Sequence, residues 1–262
     1  MSVLLQVSDP HFGTERPPVV EALVALAAQL RPDLVVLSGD ITQRARTGQF
    51  NAARAAMDRL GAPLLALPGN HDIALFDLWS RLTRPYARYS AAFGADLAPV
   101  FASHDLLVIG VNTTRAWRHK DGEVSDAQIA TVAQQLRQAR PEQLRVVVVH
   151  QPIDVMRQED LPNRLHNHAA AQQAWAAAGA DVVMGGHIHL PYVMPLPGLA
   201  RALWAVQAGT AVSSRVRSGM PNSVNVLRWA GAAACAVEQW DFSAATSSFV
   251  RVASTSLAPQ RG

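Results

Sequence analysis

The alternation of short apolar runs with longer stretches of helical spacing constrains the fold most. Apolar runs rich in Val and Leu lie at residues 3–7, 34–37, 63–67, 145–149 and 181–184. Patterns with helical spacing lie at residues 19–30, 49–60, 126–139 and 169–178. Strand–helix alternation is typical of layered α/β folds, and near-continuous apolar runs indicate strands that are covered on both faces. We therefore expect an α/β fold.

The pattern changes after residue 190. Short strands are predicted at residues 201–207, 223–229 and 234–242, with Gly and Pro between them, which favours antiparallel pairing. Two long irregular stretches, 76–94 and 151–166, are interpreted as loops or short helices, although loops of this length in compact domains are often functional. We predict one domain over residues 1–250, followed by a frayed, weakly apolar tail at 251–262.

Composition excludes several classes of protein. The 262 residues contain one cysteine, Cys235, which excludes an internal disulfide and a cysteine-based zinc site. The net charge of +3 comes from scattered arginines, with Lys120 the single lysine, so we expect no nucleic-acid partner. No apolar run is long enough to span a membrane, and no basic residue precedes the first apolar run. We expect a soluble, cytoplasmic protein, whose oligomeric state the sequence leaves open.

Polar residues follow five of the predicted strands. The segments are Ser8-Asp9-Pro10-His11, Ser38-Gly39-Asp40, Gly69-Asn70-His71-Asp72, His150-Gln151-Pro152 and Gly186-His187-Ile188-His189. In open α/β sheets, ligands bind outside the carboxyl ends of the strands. We therefore expect these carboxylate, amide and imidazole groups to converge at one edge.

Carboxylate and imidazole without thiolate suit Mn, Fe or Zn. Seven candidate ligands exceed what one ion takes, but they suffice for two ions that share a carboxylate. Two neighbouring ions can activate a water molecule and clamp the oxygens of a phosphoryl transfer. His71 remains to protonate a leaving oxygen. Each motif alone is also typical of surface loops or hydrogen-bonded histidines, and the ordered combination favours the metal site.

These motifs resemble the signature of the calcineurin-like metallophosphoesterase family, and the match extends from Asp9 to His189. The resemblance implies a four-layer α/β/β/α sandwich of two mixed sheets with two metal ions, Mn or Fe first and Zn as an alternative. By that pattern, one ion is held by Asp9, His11, Asp40 and His189, and the other by Asp40, Asn70, His150 and His187. A bridging hydroxide would attack phosphorus, with His71 as general acid beside Asn70 and Asp40.

Pro-Gly-Asn-His-Asp together with His-Gln-Pro is similar to the bacterial group related to class III cyclic-nucleotide phosphodiesterases. This similarity favours hydrolysis of small phosphodiesters, with 3′,5′-cyclic nucleotides first. Phosphomonoesters and nucleotide-sugar pyrophosphates remain alternative substrates. A metal-dependent nuclease is less favoured because no basic stripe is visible. A non-catalytic scaffold is less favoured because every expected ligand position is filled.

One position departs from the family pattern. Many members have Gly-Asp-x-x-Asp, and here Gln43 replaces the last aspartate. Glutamine can accept an imidazole N–H but cannot pair with an imidazolium, so we hypothesise that His71 is a weaker base here. The alternative is that Gln43 points to solvent and another group supports His71.

Residues outside the motifs leave further alternatives. Arg215 and Arg217 are surface arginines by default, although either could bind a substrate phosphate because guanidinium matches phosphate oxygens. Residues 166–168, His-Asn-His, are interpreted as a helix cap rather than a substrate gate. His104 and His119 are interpreted as surface or turn residues.

Overall fold

The computed structural model describes residues 1–75, 77–231 and 234–260. The first half contains β1 (Ser2–Val7), α1 (Pro17–Leu30), β2 (Leu34–Ser38), α2 (Thr47–Asp58), β3 (Leu64–Leu67), α3 (Leu78–Thr83), α4 (Ala87–Phe93), β4 (Val100–Ala102) and β5 (Leu106–Gly110). The second half contains α5 (Asp126–Arg137), β6 (Leu144–Val148), α6 (His168–Ala178), β7 (Val182–Gly185), β8 (Tyr192–Pro195), β9 (Trp204–Gln207), β10 (Ser223–Trp229), β11 (Cys235–Ser243) and β12 (Ser248–Leu257). Short 3₁₀ helices lie at Asn70–Asp72 and Gln158–Asn163.

Within the described residues, the strands form two six-stranded mixed sheets. The first has the order β12-β11-β10-β1-β2-β3, with β1, β2 and β3 parallel and β10 to β12 antiparallel. The second has the order β4-β5-β6-β7-β9-β8, with β5, β6, β7 and β9 parallel between antiparallel edge strands. Because parallel strands end at the same edge of a sheet, the loops after β1, β2 and β3 lie together, as do those after β6 and β7.

Three apolar layers hold the sandwich together. One lies between α1, α2 and the first sheet and includes Leu23 and Phe50. A second lies between the two sheets, where Val36 and Val146 are fully buried. A third lies between the second sheet and helices α5 and α6, around the fully buried Trp175. Apolar side chains on both faces of each sheet explain the near-continuous Val and Leu runs, and the predicted four-layer α/β/β/α fold is confirmed.

Local sequence sets the ends of several helices. Pro17 and Pro18 occupy the first turn of α1, where a missing N–H costs nothing. Ser125 and Gln128 form a capping box at the start of α5. Gly179 ends α6 in a left-handed conformation. Among the described residues, no helix is long and apolar enough to cross a membrane.

Two predictions about the chain's layout need correction. Residues 251–257, expected to fray, belong to β12, which pairs with β11 along its whole length. Main-chain hydrogen bonding and the buried ends of the strand, Phe249 and Leu257, hold it in place although most of its side chains are exposed. The predicted domain boundary at residue 250 therefore falls inside a strand.

The sequence patterns also missed three strands, β4, β5 and β8. The irregular stretch 76–94 contains α3 and α4, while residue 76 itself lies outside the described residues. The stretch 151–166 contains only the 3₁₀ helix Gln158–Asn163. Both stretches are therefore loops with short helices, as expected.

Candidate metal centre

The polar residues that follow β1, β2, β3, β6 and β7 meet at the carboxyl ends of the parallel strands of the two sheets. Within each of two groups, all the ligand atoms lie within 4.8 Å of one another. The first group is Asp9, His11, Asp40 and His189, and the second is Asp40, His150 and His187. Asp40 belongs to both groups, so its carboxylate lies between them. The sequence-predicted residues of both groups are therefore brought together as expected, while Asn70 is located by its own contact described below.

A rare backbone conformation turns the chain at these positions. Five candidate ligands have positive φ, namely Asp9 (50°), His11 (41°), Asp40 (47°), His187 (74°) and His189 (57°). For residues other than glycine, this conformation is uncommon, and each residue held in it costs about 1–3 kcal/mol. Such strain persists where surrounding structure imposes it, and it clusters at functional sites. Here it aims side chains from separate loops at a common point.

Short distances connect the first group. Nε2 of His11 lies 3.1 Å from Nε2 of His189 and 3.8 Å from Oδ2 of Asp40. Nε2 of His189 lies 3.3 Å from Oδ1 of Asp9. Nδ1 of His11 is buried and has no hydrogen-bond partner among the described residues. Two imidazole nitrogens and two carboxylates facing one point form a donor set that fits a Mn, Fe or Zn ion.

The second group is centred on His150. Its Nδ1 donates to the carbonyl oxygen of Ser38 at 2.9 Å, which turns Nε2 towards Oδ1 of Asp40 at 3.2 Å. Nε2 also lies 3.3 Å from Oδ1 of Asn70, so the asparagine oxygen faces the same point. A backbone acceptor on one ring nitrogen fixes the tautomer that leaves the other nitrogen free to bind a metal. With His187, this group offers imidazole, carboxylate and amide donors.

Burial and the two carboxylates perturb the histidines in different directions. Burial lowers the pKa of His11 and of His187 to about 4, which favours their neutral forms. Burial also opposes charge on His150, but the Asp40 carboxylate outweighs it and raises the pKa of His150 to about 9. Although burial raises the pKa of Asp40, the adjacent His150 lowers it well below its usual value. Burial likewise opposes charge on Asp9, but the adjacent His189 outweighs it and lowers the pKa of Asp9. Both carboxylates are thus held ionised, as metal ligands must be.

Hydrogen bonds from neighbouring loops hold the acidic residues. Asp9 accepts from Oγ of Ser8 at 2.6 Å and from the backbone N–H of His187 at 3.0 Å. Asp40 accepts from the backbone N–H of His71 at 2.9 Å. Asp72, which is fully buried, joins the loops after β2 and β3 by accepting from the N–H groups of Ile41 and Gly69. These bonds couple the positions of the loops that carry the candidate ligands.

His71 lies beside both groups. Its ring meets that of His11 edge to face, with centroids 4.9 Å apart. Nδ1 of His71 lies 3.1 Å from the backbone oxygen of Gln43, and because a carbonyl oxygen only accepts, Nδ1 donates. The side-chain oxygen of Gln43 accepts from Nη1 of Arg215 at 2.8 Å. The side chain of Gln43 is therefore turned towards Arg215, and Gln43 supports His71 through its main chain rather than its side chain.

An open groove of about 290 Å³ borders Asp40, Asn70 and His71. The basic residues that line it are His119, Lys120, Arg215 and Arg217. His119 and Lys120 were not predicted at the site, and no local sequence signal identifies them. Arg217 pairs with Asp160 on the wall of the groove, whereas Lys120 and Arg215 add positive charge beside the candidate ligands, which suits an anionic substrate.

The segment at residues 166–168 lies apart from this groove. Asn167 is at the N-cap position of α6, but its side chain donates to Oδ1 of Asp126 at 2.8 Å and makes no cap bond. Nδ1 of His168 contacts the backbone oxygen of Leu165 at 2.9 Å. The expected side-chain cap is therefore absent at Asn167 in the described structure. His104 is exposed beside Asp105, as expected of a surface residue.

The fold and the two ligand groups define a layered α/β protein with donor groups for two metal ions on either side of Asp40. The chain belongs to the calcineurin-like phosphoesterase family, whose sequence profile matches residues 2–191. Membership in this family implies a dinuclear metal site, and the donor groups above fit one.

Two characterised relatives share part of the sequence. A cAMP/cGMP dual specificity phosphodiesterase of Mycobacterium tuberculosis is 26% identical over 202 residues, which cover 71% of this chain and 61% of that protein. A glycerophosphodiester phosphodiesterase of Enterobacter lignolyticus is 36% identical over 83 residues, which cover 27% of this chain and 29% of that protein. The chain thus spans less than two thirds of the length of either relative.

Solved structures share the fold at low sequence identity. A purple acid phosphatase from yellow lupin (Lupinus luteus) superposes with a TM-score of 0.74 at 12% identity, covering 98% of this chain and 53% of that one. A dimetal phosphatase from Danio rerio superposes with a TM-score of 0.69 at 14% identity, covering 99% of both chains. These likenesses support the four-layer fold.

Proposed function

We propose that this protein is a dinuclear metal-dependent phosphodiesterase that hydrolyses small phosphodiesters, with 3′,5′-cyclic nucleotides as the first substrates to test. The observation that carries the proposal is the position of Asp40, which lies in both ligand groups and can bridge two ions. The cyclic-nucleotide activity named for the mycobacterial relative supports the choice of substrate. The single cysteine, Cys235, is buried and suits the reducing cytoplasm that we propose as its location.

The proposal assigns one ion to Asp9, His11, Asp40 and His189, and the other to Asp40, Asn70, His150 and His187. We propose Mn or Fe in these positions, with Zn as the alternative, because the donors are oxygen and imidazole nitrogen. When bound, two such ions activate water and neutralise charge on phosphoryl oxygens.

The chain's own residues orient the substrate and move the proton. His71 lies between the ligand groups and the groove, so its ring is the proposed proton donor to the leaving oxygen. The backbone oxygen of Gln43 holds Nδ1, so Nε2, which lies 3.3 Å from Nη1 of the groove residue Arg215, is the atom that would carry the donated proton. Lys120 and Arg215, which line the groove, attract the anionic diester and counter charge that develops on it.

A glycerophosphodiester is the second candidate substrate, because the Enterobacter relative is named for that activity. The open groove admits either a cyclic or a linear diester. A panel of cyclic nucleotides, glycerophosphodiesters, phosphomonoesters and nucleotide-sugar pyrophosphates, assayed with the Mn²⁺-loaded protein, separates these alternatives by their kcat/KM values.

The central test uses Asp40→Ala and His150→Ala. Each variant is expected to lose hydrolysis of bis(p-nitrophenyl) phosphate and to bind less Mn, while circular dichroism shows a folded chain. His104→Ala is the matched control, because His104 is an exposed histidine outside both groups. Wild-type turnover in either site variant would refute the proposed function.

A further inference from the structure

Arg215 lies over the candidate proton donor. Its Nη1 is 3.3 Å from Nε2 of His71 and 2.8 Å from Oε1 of Gln43, and its side chain lines the groove beside Asn70. Within residues 1–75, 77–231 and 234–260, the contacts of its guanidinium include no carboxylate within ion-pair distance. A cation without an anionic partner thus faces the place where a phosphoester must bind.

The backbone of Arg215 is fixed to the loop that carries His11. The N–H of Arg215 donates to Oγ of Ser213 at 3.0 Å, and its carbonyl oxygen accepts from Oγ1 of Thr210 at 3.0 Å. Oγ of the buried Ser213 lies 2.8 Å from Oγ1 of Thr14, which donates to the carbonyl oxygen of His11 at 2.9 Å. The backbone of Arg215 is therefore held in register with the loop that carries the candidate ligand His11.

Arg217, two residues further along, is placed differently. Its Nη1 donates to Oδ1 of Asp160 at 2.8 Å, and its Nη2 donates to Glu159. Nη1 also contacts the carbonyl oxygen of Ile188 at 3.3 Å. The charge of Arg217 is therefore balanced within the protein. Its contact with Ile188 braces the loop that carries His187 and His189. The charge of Arg215, by contrast, is kept for a ligand.

The residue at position 43 decides whether that charge persists. An amide oxygen accepts a guanidinium N–H but carries no net charge, whereas a carboxylate at the same place would neutralise Arg215 in an ion pair. The uncharged amide of Gln43 and the guanidinium that it orients without an ion pair are therefore parts of one arrangement. Guanidinium also has further N–H donors, in a fork that matches phosphate oxygens.

We propose that Arg215 binds a non-bridging oxygen of the substrate's phosphoryl group and that Gln43 positions it there without cancelling its charge. The inference rests on the proposed function for the identity of the substrate as a phosphoester. Arg215 is then a substrate-binding residue, and its contribution grows with the negative charge on the phosphoryl oxygens. A phosphate ion, as the minimal analogue of that group, carries the same oxygens.

The first test measures binding of inorganic phosphate by calorimetry to Mn²⁺-loaded protein that has been desalted to remove free metal. Arg215→Gln is expected to weaken phosphate binding about tenfold or more, because a charge-assisted hydrogen bond is lost. Arg215→Lys should retain part of the affinity. The control is Arg59→Gln, which removes an exposed arginine paired with Glu21. Unchanged phosphate affinity in Arg215→Gln, or an equal loss of bound metal, overturns the inference.

The second test is a double-mutant cycle with Gln43→Asp. The new carboxylate is expected to pair with Arg215 and weaken phosphate binding, and this effect should be much smaller when Arg215→Gln is already present. Tighter phosphate binding in Gln43→Asp, or strictly additive effects of the two changes, contradicts the proposed arrangement.

The two proposals fail in different ways. If the wild-type protein hydrolyses no phosphoester but binds phosphate in an Arg215-dependent manner, the proposed function fails and the role of Arg215 stands. If it hydrolyses diesters while Arg215→Gln leaves KM and phosphate affinity unchanged, only the role of Arg215 fails. Absence of any phosphate binding by the Mn²⁺-loaded wild type overturns the inference as well.

Discussion

Nε2 of His150 lies 3.2 Å from Oδ1 of Asp40, and both side chains are almost completely buried. Burial by itself would favour the neutral imidazole, but the carboxylate prevails and raises the pKa of His150 to about 9. A metal ion needs the neutral ring, so a proton and a metal compete for the same nitrogen lone pair.

Metal affinity is therefore expected to rise with pH. Below about pH 9, His150 carries a proton that a metal must displace. The fraction of neutral His150 rises about tenfold with each added pH unit, and the affinity for metal rises with it. The dissociation constant for Mn²⁺, measured by calorimetry from pH 6 to 9, should fall steeply and level off above pH 9. Proton release on binding, measured in two buffers of different ionisation enthalpy, checks the cause. A pH-independent affinity contradicts the prediction.

Gly69→Ala is expected to disrupt the site. A Cβ at residue 69 would overlap the backbone nitrogen and Oδ1 of Asp40, and backbone cannot move aside as a flexible side chain can. The φ of −99° at Gly69 is accessible to alanine, so the cause is the lack of space. We expect Mn²⁺ affinity to fall at least about tenfold, as for other misplaced metal-site groups.

The matched control for this variant is Gly48→Ala. Gly48 lies in the first turn of α2, and a Cβ there would meet nothing within 4 Å. Because alanine favours helices over glycine by up to about 1 kcal/mol, this variant should melt at the same or a higher temperature and bind Mn²⁺ normally. Equal metal affinity in the two variants would show that the close approach to Asp40 is unimportant.

Asp72→Asn is expected to lower stability. The buried carboxylate accepts four hydrogen bonds, from the N–H groups of Ile41, Thr42 and Gly69 and from Oγ1 of Thr42. An asparagine NH₂ would face some of these donors, which would then remain buried and unpaired. We expect the free energy of unfolding to fall by about 3 kcal/mol, measured with urea.

The control for Asp72→Asn is Asp58→Asn. Asp58 is 54% exposed and pairs with Arg54 four residues earlier on α2. An exposed pair of this kind contributes about 0.5 kcal/mol at most, so the control should unfold near the wild-type urea concentration. A similar loss in both variants would mean that the hydrogen bonds to Asp72 contribute little.

The sequence predicted that the candidate ligands converge, because each one lies shortly after the end of a strand. Asp9 follows β1 in the first sheet and His150 follows β6 in the second. Within each sheet the parallel strands bring such ends to one edge, and the packing of the two sheets brings the two edges together. Strand β5 was missed, although its residues are buried, because no polar motif follows it and marks its end. The three-residue strand β4 is too short for any periodicity to be seen.

The contact between Arg215 and His71 has no local signal in the sequence. The two residues are 144 positions apart, and the contact arises because Ser213 is tethered to the loop after β1. An alternating pattern predicts which face of a strand is buried, but it does not predict where a long side chain on a loop ends. The fold and the ligand groups were therefore predictable, and the groove was not.

Arg217→Met is expected to weaken both stability and metal binding. Arg217 balances the charge of Asp160, which is only 4% exposed. Within the part of the chain that the structure describes, Oδ2 of Asp160 already has no hydrogen-bond partner. Removing one partner of such a pair leaves a buried charge and costs about 3 kcal/mol. The same change frees the carbonyl oxygen of Ile188, so the flanking His187 and His189 are held less firmly.

Two variants separate these effects of Arg217→Met. Adding Asp160→Asn removes the stranded charge and should restore part of the urea stability, but it leaves the Ile188 contact broken, so Mn²⁺ affinity should stay low. Arg157→Met is the control, because Arg157 is 53% exposed and pairs at 3.4 Å with Glu159, which is also exposed. Wild-type Mn²⁺ affinity in Arg217→Met would show that the loop holds His187 and His189 in place without this brace.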